Sequence, residues 1–431
     1  MRAQTHRIVF VFLLLSMFAS VTQAQDSLRI RGSNVLGQGM VPALVESWMT
    51  RIGYGDLRHL RPSVGTHQIV GTRDGETLVV DIVGNGSGPG FKNLVEGETE
   101  IAMMARELTA QEIDDGWQLG RLDSPDQEYV IALQAVSVLV HPKNPIRTLS
   151  KQQVAMILAG RIRDWREVGG APGPIHLQLA DRNTGLAQMQ SQFFPEDSAT
   201  ARHHRTAPSI VASVLADPQS LGLVDFGTPT RGLPAVAIRI AGRDVPSDRL
   251  HVGTEDYPLT RRLYFRTGQM VTALGRGFVD YAVSEDGQRL LARRGYLSLV
   301  PAWFPGTTET ALPPSYADLV KGANRLSVSF RFGDAFSVFD SRSAQELARL
   351  QAFMARPENR QRKLLLVGLT GKQSSPYQAI TLSTERADLV AQTLAELGIH
   401  PAVVRGLGYA RPVTESATAQ AKNLRVEVWM R

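Results

Sequence analysis

The sequence predicts an α/β fold, a large first unit of strands and helices followed by a smaller α+β unit. Three observations carry this. Two strand–turn–helix segments with Gly/Ser-rich turns stand near the start, at 27–48 and 78–95. The run Tyr129 to Val140, YVIALQAVSVLV, is a long buried β-type stretch, closed by His141-Pro142-Lys143-Asn144-Pro145. From Pro301 to Ala323 the chain turns rich in Pro, Thr and Ser, and a new pattern begins at Leu326. Such punctuation separates folding units. A length of 431 residues suits two or three of them.

Residues 1–24 read as a secretory signal. Arg2 and Arg7 precede the apolar run Ile8 to Ala19, and small residues stand at Thr22 and Ala24. Cleavage after Ala24 would start the mature chain at Gln25, an uncleaved N-terminal anchor being the alternative, and no later segment approaches a membrane span. Cysteine is absent, so export relies on no disulfide, and a lipoprotein anchor, a thiolate metal site and a cysteine nucleophile are excluded. The formal charge of +6 falls to +4 once Arg2 and Arg7 leave with the leader. That excess favours anionic ligands without a basic run of the kind nucleic acid needs.

In the first unit, Ser27 to Arg31 is a short strand. Gly32-Ser33-Asn34 is its turn, and Val41, Leu44, Val45 and Trp48 form one helix face. The second such segment starts as Leu78 to Val83. It breaks into Gly84-Asn85-Gly86-Ser87-Gly88-Pro89-Gly90 and resumes as a helix at Phe91, Leu94 and Val95. A strand, a glycine loop and a helix start make an anion site, because the first amides of a helix lack internal partners and carry partial positive charge. Gly86, Ser87 and Gly88 are the candidate donors here. Ser33 and Asn34 serve either as helix caps or as ligand contacts.

Further along come Leu149 to Trp165, Val168-Gly169-Gly170, the strand Ile175 to Ala180, and the turn Asp181-Arg182-Asn183-Thr184-Gly185. Together with Gly86 to Gly90, the Gly97-Glu98-Thr99-Glu100-Ile101 segment and Ala105-Arg106-Glu107-Leu108, these resemble the PstS-like phosphate-binding proteins, receptors of ABC-type phosphate importers. The resemblance runs from about Leu28 to Val300. It implies a type II periplasmic-binding-protein fold of two lobes with the ligand between them, closing by hinge motion. The family's R-D-S-G-S-G-T turn maps Arg182, Asn183 and Thr184 onto anion contacts, with Leu186, Ala187 and Gln188 replacing the last three. Arg106 stands where the importer's receptor has an aspartate. It either faces the cleft with Arg182, holding an anion by forked hydrogen bonds, or pairs with Glu107 or Glu100 on the surface. Trp165 reads as core, and His203-His204 as a solvated loop rather than a metal site.

The last unit carries strands at Leu326 to Phe332 and Lys363 to Leu369, and helices at Ser343 to Met354 and from Thr381. Val403 to Gly408 and Asn423 to Val428 follow. Leu382-Ser383-Thr384-Glu385-Arg386-Ala387 and Asn423-Leu424-Arg425-Val426-Glu427-Val428 resemble the peptidoglycan-binding domain of the OmpA family. There an aspartate and the arginine of L-S-x-x-R-A clamp the diaminopimelate of the wall peptide. Arg386 and Arg425 are the candidate wall contacts, but the turn Gly368-Leu369-Thr370-Gly371 lacks the acid. Wall binding by Arg386 and pairing of Arg386 within its own helix both stay open.

The expected organisation is a signal at 1–24, a two-lobed domain at 25–300, a linker at 301–325 and an OmpA-like domain at 326–431. No nucleophile–base pair, metal-ligand spacing or G-K-S/T phosphate loop stands out, so neither an enzyme nor a cofactor or metal site is expected. The expected function is a periplasmic receptor for phosphate or a related small anion, tied to peptidoglycan or the outer membrane, with an ABC transporter or envelope protein as further partner. The alternative is an envelope scaffold that binds no ligand. Mass spectrometry of the exported protein is expected to find Gln25 at its N-terminus; retention of Arg2 would contradict the leader.

Overall fold

A computed structural model describes residues 25–196, 199–306, 312–333 and 339–431. The expected signal at 1–24 lies outside them. A single curled sheet of 13 strands organises residues 25–300. Its backbone is the strand Glu128–Val140, buried at every position. Its side chains serve two cores: Tyr129, Ile131 and Ala132 pack in one, Val130 and Leu133 in the other, with an irregularity in the pairing at Ile131. A nearly continuous apolar run is what a strand covered on both faces requires. Thr260–Thr267 lies antiparallel to it and to Ile101–Met104. These two central strands cross between the lobes.

In the first lobe, Gln25–Gly32 runs parallel to Glu76–Gly84 and to Ile101–Met104. The hairpin Gly55–Ser63 and Thr66–Arg73 extends the sheet to its edge. In the second lobe, Ser220–Asp225 pairs with Glu128–Val140 and with His176–Ala180. Trp165 is buried as expected. Residues 202–204 are a correction: they form a strand beside His176–Ala180, and His204 is buried with Nε2 2.8 Å from Gln178 Oε1. Pairing of the backbone drew this dipeptide in where its charged neighbours pointed outward. No helix among the described residues is long and apolar enough to cross a membrane.

The C-terminal unit is a five-stranded sheet with helices Ser341–Met354 and Pro376–Glu396 against it. It starts earlier than the expected boundary. Trp303–Pro305 already pairs with Asn324–Arg331, and the helix Pro314–Val320 between them buries Tyr316 edge-on against Trp429. The helix expected from Thr381 begins at Pro376, capped by Ser375, whose Oγ accepts from Gln378 N.

Charge holds the two units together. Arg262 donates to Glu255 (2.8 Å) and to Asp340 of the C-terminal unit (2.7 Å). Arg342 reaches back to Glu255 and to the Gly253 carbonyl. Arg331 approaches Asp256 at 3.4 Å and Arg425 approaches it at 3.6 Å. Burial alone would raise the Glu255 carboxyl; Arg262, Arg342 and Arg331 outweigh it and hold the group well below the usual carboxylate range. Its folded pKa therefore lies below the ordinary 4.5, so its contribution is complete above that pH and fades as pH falls. Glu255→Gln is expected to lower stability by about 3 kcal/mol near neutral pH. The gap between variant and parent is expected to narrow below about pH 4.5, as thermal melts across pH can establish.

Candidate functional site

At the carboxyl ends of the first-lobe strands the chain folds back on itself. Ser33 N donates to Met103 O at 2.8 Å, and the helix beginning at Asn34 passes through a π-helical stretch, Leu36–Met40, into Val41–Arg51. Asn85 N and Gly86 N both donate to Gly32 O at 2.8 Å. Gly86 then takes φ 105°, a left-handed value that glycine adopts without strain, and the helix Ser87–Val95 begins. That helix lies hard against the strand end, since a Cβ at Gly90 would meet Gly32 Cα at 2.3 Å. The two helix starts are therefore neighbours.

The second lobe completes the group. Its helix Gly185–Phe193 starts so close to the first lobe that a Cβ at Gly185 would lie 2.9 Å from Val35 Cγ2. Farther along the same helix, Gln192 Nε2 donates to Ala105 O at 3.2 Å. Three helix N-termini, from both lobes, thus converge on one region. Their first amides lack intrahelical partners, and each contributes partial positive charge.

Individual donors differ from expectation. Ser87 Oγ accepts from Ala105 N at 3.1 Å, which leaves its own proton for a further acceptor. Gly86 offers no amide, because closing the strand end takes it. Thr184 caps its helix: its hydroxyl donates to Asp181 O (2.7 Å) and accepts from Ala187 N (3.1 Å). Asn183 and Arg182 are exposed on the preceding turn. Ser33 is buried and Asn34 half-buried beside Gly84. Arg106 pairs with neither Glu107 nor Glu100 through their carboxylates. It forks onto Glu112 at 2.6 and 2.7 Å, with its Nη2 over Gly88. That hydrogen bond raises the arginine, while Glu112 is lowered although burial opposes it.

Beside these termini a cavity of about 450 Å³ separates the lobes, lined by Val35, Gln38, Gln134, Leu186, Asp225 and Tyr296 among others. Burial raises the Asp225 carboxyl, against the Gly227 amide and Arg261. Arg261 donates to Gln134 Oε1 at 3.1 and 2.7 Å and to Gln192 Oε1 at 2.9 Å. A polar relay therefore links the crossing strands to the lobe-bridging Gln192. Sequence reasoning missed it. Its signal was Gln134, one of two polar residues in an otherwise apolar run.

In the C-terminal unit, Arg425 is fully enclosed. It donates to Glu427 and to Arg411 O, each at 2.8 Å. Arg386 is buried, its guanidinium 5.3 Å above the Phe332 ring, and its Nε has no hydrogen-bond partner among the described residues.

Comparison with known proteins agrees with this architecture. A model of the PBP superfamily domain matches residues 71–286, and one of the OmpA family matches residues 331–425. The phosphate-binding protein PstS of Bacillus subtilis is 25% identical over 224 residues, covering 51% of this chain and 70% of that protein. The PstS of Borreliella burgdorferi is 21% identical over 225 residues, covering 50% and 77%. An ABC-type phosphate transport receptor from Vibrio cholerae has a similar structure, with TM-score 0.51 and 19% identity over 63% of this chain and 99% of that one. A possible phosphate binding protein from Planctomyces limnophilus gives TM-score 0.51 and 18% identity, over 64% and 93%. These structural likenesses establish the fold.

Gly90→Ala is expected to force the strand end and helix apart, costing about 1–3 kcal/mol or more. Urea unfolding reads this directly, and an unchanged midpoint would contradict the close approach.

Proposed function

This chain belongs to the PBP superfamily, and from that premise we propose an exported receptor for phosphate or a related small anion. The observation that carries the reading is the convergence of three helix N-termini from both lobes. Partial positive charge and unpaired amides meet there, which is what a desolvated anion needs in place of water. Ser33, Asn34, Ser87 and Gly88 are the contacts in this reading, with Arg182 on the second-lobe turn. Arg106 supports the Ser87 helix start through Glu112 instead of gripping the ligand. The periplasm is the matching compartment, since the phosphate-binding relatives and the OmpA-family unit both fit an envelope setting. An ABC-type transporter is the partner such a receptor would feed.

A second reading, a scaffold without ligand, draws on the capped Thr184, the Arg106–Glu112 fork and the apolar Leu186 beside the site. Wall contact by the C-terminal unit rests in either reading on Arg386, whose Nε has no partner among the described residues and which sits in the retained L-S-x-x-R-A segment. Arg425 is an internal charge in both.

Calorimetric titration of refolded mature protein with phosphate tests the proposal. A saturable heat is expected, and Ser87→Asp is expected to abolish it. The new carboxylate would occupy the first helical turn, where a negative charge favours the helix but repels the ligand. Absence of heat with phosphate and sulfate, or undiminished heat in Ser87→Asp, would contradict the assigned site.

A further inference from the structure

The interlobe cavity of about 450 Å³ is far larger than the phosphate proposed for the helix starts beside it. It opens directly onto two of those starts, since Val35 and Gly185, each in the first turn of its helix, are part of its wall. Nor is it a gap awaiting closure. The lobes already touch beside it, with no room for a Cβ between Gly185 and Val35, and Gln192 bonded across to Ala105 O. Its polar groups are few and directed. Asp225 is half-buried, and the Gly227 and Phe226 amides donate to its carboxylate and fix its orientation. Gln134 Oε1 is spent on Arg261, at 3.1 and 2.7 Å, so the amide Nε2 is the half left for a ligand. Tyr296 adds a hydroxyl, kept protonated because burial and Asp225 both raise it. Between them lie the hydrocarbon of Leu133, Leu186 and Phe226. Apolar walls with a few oriented donors and acceptors select an organic body by its polar pattern.

Resting on the receptor reading above, we infer that the ligand is a phosphate monoester of a polyol or sugar. Its phosphoryl group sits at the helix starts, and its hydroxylated body fills the cavity, donating to Asp225 and accepting from Gln134 Nε2. The volume has room for about fifteen water-sized groups, which suits a body of up to about a dozen heavy atoms. A carboxylate accepts strongly from hydroxyls and repels a second anionic group, so the ester end must be neutral or cationic. Arg261 already stands close enough to oppose the upward shift of Asp225, which supplies the countercharge that an ammonium would otherwise bring. A neutral hydroxyl is therefore the better match. The C–H faces of the body lie against Leu133, Leu186 and Phe226. Inorganic phosphate would leave this part of the site to water. A site built to hydrogen-bond hydroxyls discriminates against a ligand that lacks them.

The test is calorimetric titration of the full mature chain with glucose 6-phosphate, glycerol 3-phosphate, phosphoethanolamine and inorganic phosphate. At least one of the two hydroxylated esters is expected to bind roughly tenfold or more tightly than phosphate. Asp225→Asn, which keeps the size and removes the charge, is expected to lower the ratio of ester to phosphate affinity by roughly fivefold or more. Phosphate binding as tightly as both esters would overturn this inference and leave the receptor reading standing. Tighter binding of phosphoethanolamine than of either hydroxylated ester, or an undiminished ratio in Asp225→Asn, would also overturn it. Absence of binding by all four would overturn the receptor reading and this inference together. The comparison of ester with phosphate needs no variant and decides the matter even if Asp225→Asn fails to fold.

Discussion

Two neighbouring carboxylates, Glu255 and Asp256, govern how this molecule is assembled. They stand just before the crossing strand Thr260–Thr267 and meet Arg262, Arg331, Arg342 and Arg425. Three of those arginines come from the C-terminal unit. Each charge loses water on burial, a cost that only close pairing and extra hydrogen bonds offset. The pairing therefore works as a directional lock: removing one member leaves its partners buried and unmatched. It also decides what Arg425 does. A residue that resembles a wall contact is turned inward, toward Glu427 and Asp256.

The same lock bears on the two-lobed unit. Arg262 belongs to the strand that also carries Arg261, whose guanidinium reaches Gln134 and the lobe-bridging Gln192. Neighbouring positions on one strand thus connect the docked unit on one side and the lobe contact on the other. The three helix starts of the proposed anion site stand side by side. Several hydroxyl and guanidinium donors have been redirected into the protein itself. Backbone amides consequently carry more of the proposed recognition than side chains do.

Much of the architecture was legible in the sequence because it rests on local pattern. The apolar run ending at Val140, the glycine turn before Ser87 and the L-S-x-x-R-A helix each declare themselves over a few residues. The hairpin Gly55–Ser63 with Thr66–Arg73 did not, since its outer strand is mostly exposed and mixes charged with apolar residues. Pairing partners were harder still. Arg106 finds Glu112 only because the turn after Met104 brings the next helix alongside, and no helical or strand spacing links the two. The charged residues of the unit interface carried no signal of their burial, for charge on an exposed helix and charge in a buried network look alike until the partner is known. Thr184 had a visible alternative, because a threonine before a helix is first of all a cap.

Amide hydrogen exchange of the mature chain with and without phosphate tests the central claim most directly. The account predicts that phosphate slows exchange together in three places, the turns starting at Asn34, Ser87 and Gly185, because one anion touches helix starts from both lobes. Unchanged exchange at all three, or protection confined to one lobe, would contradict it.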